Sequence, residues 1–220
     1  MPRLNQKELI LALSDARLQP YGMGSTNLGL ALKNYQNNIR LSQALYALLQ
    51  QFEVVLRNRI EEMLITKYGL GWFNDQRFTS LLDHYGNNKI QETINTLHRS
   101  QKTINSGAIV AEMTFGFWIA LLGRKYRSEL WDKHNKIIFP FATSTQRDLG
   151  KIYPQLQRIR DLRNRIAHHE AIWQDTQLLQ KYQSIKQLLT WMNPHAALWL
   201  ERCRLDQFSK VHSSIFGKTP

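Results

Sequence analysis

Between residues 30 and 68 the chain carries neither proline nor glycine, and its apolar residues recur three and four positions apart at Leu45, Leu48, Leu49, Phe52, Leu56, Ile60, Met63 and Leu64. A strand would alternate every second residue, so this spacing predicts one long amphipathic helix over 28–68, with room for a bend near Asn37-Asn38. At about 100° per residue, Glu53, Arg57 and Glu61 form a polar stripe beside the apolar face. That stripe suits the wall of a site, and it suits equally a surface laced by i,i+4 ion pairs.

The rest of the sequence keeps the helical period. A first helix is predicted over 5–17, ended by Pro20, Gly22 and Gly24, with a loop to about Asn27. Gly69 and Gly71 close the long helix and Trp72-Phe73 cap the core. Shorter helices follow at about 75–84 and 87–101, divided at Gly86-Asn87-Asn88. A stretch apolar nearly all round, Ile109 to Leu122, reads as a buried helix, and 124–134 as another. A helix over about 145–169 carries Pro154, which kinks or splits it, and buries Ile159, Leu162 and Ile166. Residues 175–192 are amphipathic. Asn193-Pro194 then starts a last helix to about 207, with a frayed tail from Ser213. Strand signals are almost absent, so the fold class is all-α. The expected organisation is an N-terminal helix and loop (1–27), a helical core (28–175) and C-terminal helices packed on the same domain (176–220).

Charge narrows the function. With 29 Lys plus Arg against 17 Asp plus Glu the net charge is +12, and the pI is about 10.0. Nucleic acid is the first partner such a surface suggests, whereas the basic residues are too interleaved with acids and aromatics for a polybasic membrane patch. The N-terminus lacks the apolar block of a leader, and no stretch approaches the ~20 apolar residues of a membrane span, which predicts a cytoplasmic protein without a membrane partner. The single Cys203 excludes an internal disulfide and reads as an inert packing thiol. His84, His98, His134, His195 and His212 show no ligand spacing and no glycine-rich phosphate loop occurs, so neither metal nor cofactor is expected. Trp118, Trp131, Trp173, Trp191 and Trp199 read as core residues in preference to base-stacking platforms.

One pentapeptide, Leu-Arg-Asn-Arg-Ile, occurs twice, at 56–60 and at 162–166. The first copy continues Glu61-Glu62; the second continues Ala167-His168-His169-Glu170, and only the second carries imidazole. Imidazole moves protons near neutral pH, guanidinium grips a phosphate by two N–H groups, and an amide orients either, so Arg163, Asn164 and His168 suit phosphodiester cleavage. On a straight helix Asn164 and His168 share a face, whereas Arg163 and His168 stand about 140° apart. Either the helix frays near His168, or two copies meet across a two-fold axis, a contact that the small Ala167 would allow. The bland alternative is that Arg, Asn and His here merely stabilise the helix C-terminus.

The stretch 162–170 resembles the signature helix of the Abi-like proteins (abortive-infection D and F type), a branch of the HEPN superfamily whose motif is Arg, four to six residues, then His. Two further blocks agree in order: Ser42-Gln-Ala-Leu-Tyr46 through Phe52-Glu-Val-Val-Leu-Arg-Asn-Arg-Ile60, and Thr114-Phe-Gly-Phe-Trp118 followed by Leu130-Trp131. The resemblance spans roughly 35–173 and departs at Ala171, where relatives usually have proline. It implies a HEPN-like helical bundle with peripheral helices, homodimerisation through the motif helices, and a metal-independent endoribonuclease toxin used in phage defence. It carries catalytic roles onto Arg163 and His168, with Asn164 positioning. His169 and Glu170 are weaker candidates, and Glu53, Arg57 and Asn58 are supporting or RNA-positioning groups on the neighbouring helix. Arg158, Arg160 and Arg165 would widen the basic surface for RNA. Restraint of such a toxin by a non-coding RNA or by a protein antitoxin is a further expectation. The rival reading is a non-catalytic RNA-binding or regulatory helical dimer.

Overall fold

The computed structural model describes residues 5–24 and 27–217, and among them every regular element is helical, as the sequence predicts. Residues 1–4, where the sequence predicts no leader, lie outside the described residues, as do 25, 26 and 218–220. Among the described residues no helix is long and apolar enough to cross a membrane.

The predicted first helix is two pieces, α1 (Gln6–Leu13) and α2 (Asp15–Leu18). Ser14 stands between them at φ 69°, its hydroxyl accepting from the Arg17 amide at 3.3 Å. A serine inside an apolar pattern caps a helix as well as one at its edge, so periodicity does not see the break. A 3₁₀ turn, Gln19–Tyr21, then buries Tyr21. Asn27 caps α3 (Leu28–Tyr68), whose 41 residues pass Asn37-Asn38 without interruption and reach roughly 60 Å at 1.5 Å per residue. Leu41, Leu45, Leu48, Phe52, Leu56, Ile60 and Met63 form its buried line. Gly69, at φ 84°, ends the helix with its amide donating to the Ile65 carbonyl, and Trp72 and Phe73 turn onto the core as expected.

Downstream, caps set boundaries that composition misplaces. Helices α4 (Gln76–Thr79) and α5 (His84–Arg99) divide before Asp83 and not at Gly86. Asp83 accepts from the Gly86 amide at 2.8 Å, and a side chain at Gly86 would press on Leu82 at 3.3 Å, so this glycine serves packing. The expected single buried helix is α6 (Ser106–Glu112) and α7 (Phe115–Ala120), parted by the N-cap Thr114. The predicted helix over 124–134 is a 3₁₀ turn (Arg124–Tyr126), a π turn (Arg127–Trp131) and α8 (Asp132–Ile138). Tyr126, Leu130 and Trp131 are all buried, and their spacing of four and five suits the wider π turn.

Helix α9 (Leu149–Ala167) starts from its Asp148 cap, later than predicted, and Pro154 lies inside it without splitting it. Ile152, Leu156, Ile159 and Leu162 face inward, and Ile166 is half-buried. Each such burial stabilises the fold by about 1.5–3 kcal/mol. Helices α10 (Leu178–Met192), α11 (Pro194–Arg202) and α12 (Phe208–Phe216) follow. Asn193 caps α11 as predicted, accepting from His195 and Ala196 amides at 3.0 and 3.2 Å. That helix stops at Arg202, leaving Cys203 exposed where a packed thiol was expected. The expected frayed tail is helical to Phe216, because Phe208 is fully buried against the Tyr182 ring at 4.6 Å.

Helix α3 is the spine: α2 and each of α6 to α12 pack on it. Trp118 and Trp131 are core residues as predicted, Trp173 and Trp191 are half-buried, and Trp199 is exposed. The consequence for function is positional. The long helix brings its 35–57 stretch alongside the C-terminal end of α9, where the second pentapeptide lies.

Candidate active site

Helix α9 ends inside the motif. His168 is its C-cap at φ −90°, ψ 10°, and His169 adopts the left-handed conformation at φ 57°. The His169 amide donates to the Ile166 carbonyl at 3.1 Å and the Glu170 amide to the Arg165 carbonyl at 2.8 Å. This double closure is a Schellman motif, in which glycine normally takes the left-handed place. A histidine there carries a Cβ cost of about 1 kcal/mol. His169→Gly is therefore expected to raise the thermal unfolding midpoint by about 2–4 °C while removing an imidazole from the site, a gain read by calorimetry. The His168 amide still donates to the Asn164 carbonyl at 2.9 Å, so His168 keeps its helical place about 140° from Arg163, and it is His169 that turns away from the helix.

Beside this turn lies a groove of about 880 Å³ between α3 and the end of α9. Tyr35, Ile39 and Tyr46 form its apolar end, with Tyr46 62% exposed. Glu53, Arg57 and Arg163 form its charged end, and Ile166, Ala167 and His169 close it. All the α3 members fall on one face at spacings of three and four. His169, the weaker candidate in the sequence, lines the groove; His168 is exposed and is not among the lining residues.

Arg163 is held in place. Its Nε donates to Glu53 Oε2 at 3.1 Å, its Nη2 to Oε1 at 3.5 Å, and its Nη1 to Asn164 Oδ1 at 3.4 Å. The carboxylate thus takes one edge of the guanidinium in a fork, and the amide oxygen of Asn164 meets the other. The Glu53 side chain is 19% exposed and that of Arg163 39%, so the pair is half-screened. Arg57, one turn after Glu53, makes no ion pair among the described residues, and its Nε is buried without a partner.

The loop after the histidines is tied down from two sides. Buried Asn38 accepts from the Ile172 and Trp173 amides at 2.7 and 3.2 Å and donates to the Glu170 carbonyl at 3.4 Å. Arg17 donates to the His169 carbonyl at 2.7 Å, and Trp173 Nε1 to the Pro20 carbonyl at 3.2 Å. Tyr21 lies beneath, its ring edge-on to Tyr35 at 5.1 Å. Burial pushes its phenol pKa up and Tyr35 adds to this, against the opposing charges of Arg17 and Arg165, so the phenol stays neutral.

The remaining predicted residues scatter. Arg165 donates to the Ala171 carbonyl and approaches Glu170 at 3.7 Å and Asp175 at 3.5 Å, which commits it to the loop. Arg160 pairs with Asp161 at 2.8 Å, Arg158 lies against α10, and Asn58 is exposed outside the groove. Glu61 leaves the expected stripe to accept from Ser106, which in turn accepts from Trp72 Nε1 at 2.7 Å. Sequence reasoning missed Asn38, Arg17 and Tyr35 at the site, and met Tyr46 only as the end of a block that carries the resemblance. Of the three, only Asn38 stood out in the sequence, and there as part of a possible bend at Asn37-Asn38. Among the described residues no group of three or more His, Cys, Asp or Glu is placed to hold a metal ion.

A family profile, described as Abi-like protein, matches residues 7–174. No curated protein matches, and no solved structure does.

Proposed function

The chain belongs to the Abi-like protein family, whose description points to abortive infection, and from that premise we propose that it is a metal-independent endoribonuclease toxin of HEPN type. The observation that carries this reading is Arg163 on the groove wall, its guanidinium oriented by Glu53 and Asn164, immediately before the turn that presents His168 and His169. A ribose 2′-hydroxyl attacks the adjacent phosphorus while one imidazole takes its proton. The bond to the 5′-oxygen breaks, and that oxygen receives a proton from an imidazolium. In this reading His168 is the proton-transfer group of the motif, and His169, which lines the groove, makes the second transfer. Arg163 faces the charge that grows on the non-bridging oxygens. In the same reading the working form is a homodimer joined through the motif helices, with Ile39 and Tyr46 as an apolar edge. The net charge of +12 draws the strand in, and also suits restraint by a bound RNA.

The test is cleavage of labelled RNA in excess chelator. The expected products end in 2′,3′-cyclic phosphate and 5′-hydroxyl, and DNA of the same sequence stays whole because it lacks the nucleophile. Products with 3′-hydroxyl and 5′-phosphate ends would overturn the mechanism.

A further inference from the structure

The repeated pentapeptide meets itself in space. The first arginine of each copy, Arg57 and Arg163, lines the same groove, whereas the second of each is tied to backbone. Arg59 donates to the Met192 carbonyl at 3.2 Å and to Glu62 at 2.7 Å; Arg165 donates to the Ala171 carbonyl and pairs with Glu170 and Asp175. Each copy thus supplies one arginine to the scaffold and one to the cavity. The two cavity arginines are not equivalent. Glu53 takes an edge of Arg163, while Arg57 has no counter-charge among the described residues and a buried Nε without a partner. One carboxylate cannot neutralise two guanidinia, so this half-screened end of the groove holds an excess positive charge. Such a site calls for an anion that accepts several hydrogen bonds at once.

We propose that Arg57 is a second phosphate-binding position, which grips a phosphate of the RNA strand other than the one Arg163 serves. The inference rests on the endoribonuclease reading and deepens it: the substrate is a strand with at least two phosphates. A dinucleotide with a single phosphodiester fills only the Arg163 position. Adding a phosphate at one of its ends fills both.

The experiment compares such a dinucleotide without and with a terminal phosphate, tried at the 5′ and at the 3′ end, on wild-type protein, Arg57→Gln and Arg57→Lys. Wild type is expected to favour one phosphorylated form by about tenfold or more in kcat/KM, the range of one hydrogen bond to a charged group. Arg57→Gln should cut both forms equally poorly, and Arg57→Lys should restore part of the preference. In parallel, binding of a single-stranded oligonucleotide to His168→Ala protein is followed against salt, and adding Arg57→Gln should flatten the slope by about 0.7. If Arg57→Gln does not fold, Arg57→Met carries the same two measurements. Cleavage with the preference and slope unchanged in the variant overturns the Arg57 site and leaves the nuclease reading standing. Should wild type not cleave at all, the nuclease reading fails, and the binding slope alone still decides for or against Arg57.

Discussion

Replacing Arg163 with alanine is expected to slow RNA cleavage by about a hundred- to a thousand-fold, the scale of losing one preorganised donor to a developing oxyanion. The loss has a second part. Glu53 would remain on the groove wall, largely buried and now without its cation, and would repel the incoming phosphate. The pair is therefore non-additive: Glu53→Gln added to Arg163→Ala should recover RNA binding relative to the single variant, although not the rate. Arg163→Lys keeps the charge but cannot hold both Glu53 oxygens by a fork, so it should rescue poorly. Single-turnover rates on labelled RNA and binding to His168→Ala backgrounds separate the two effects. Full activity in Arg163→Ala would remove this arginine from the chemistry.

Asn38→Ala is the second large effect, and it acts through the scaffold. The substitution strips hydrogen-bond acceptors from the buried Ile172 amide and from that of Trp173. Leaving them unpaired costs about 2–4 kcal/mol in all, which lowers the unfolding midpoint by about 5–10 °C. The same loss frees the loop that follows His168 and His169, so cleavage should fall well below the wild-type level even at temperatures where the variant is fully folded. Asn38→Asp accepts both amides but turns a carboxylate toward the Glu170 carbonyl, and should lie between the two. Melting curves with activity measured below the transition test both halves. An unchanged rate in folded Asn38→Ala would show that the loop needs no tether.

These residues mark the limit of what the sequence discloses. The 28–68 helix was legible because its period is uninterrupted and its capping Asn27 and closing Gly69 stand at its ends. Shorter elements were not, since their limits are set by single side-chain bonds: Ser14 to Arg17, Asp83 to Gly86, Thr114 to Phe117. Such caps look like ordinary polar residues until the backbone is known. At the site, Arg163, Asn164 and the two histidines were visible as one short run, and Glu53 and Arg57 as a helical stripe. The resemblance put Glu53 on a helix neighbouring the motif as a supporting group, but its grip on Arg163 from 110 positions away left no sign in the sequence. Arg17 gave no sign, because a contact across 152 positions with a backbone carbonyl leaves no pattern. Nor could periodicity distinguish His168 from His169 in the groove, since the answer depends on where α9 stops and on a left-handed residue where glycine would be expected.

On the proposed mechanism the turn ending α9 moves protons for RNA cleavage. Its most direct test is total RNA and transfer RNA incubated in excess EDTA with wild-type protein and with His168→Ala, product ends determined. Cyclic-phosphate ends are expected from wild type, with a loss of about two to four orders of magnitude in the variant, the range of general acid–base catalysis. Equal cleavage by both proteins, or RNA bound equally by both and cut by neither, would contradict it.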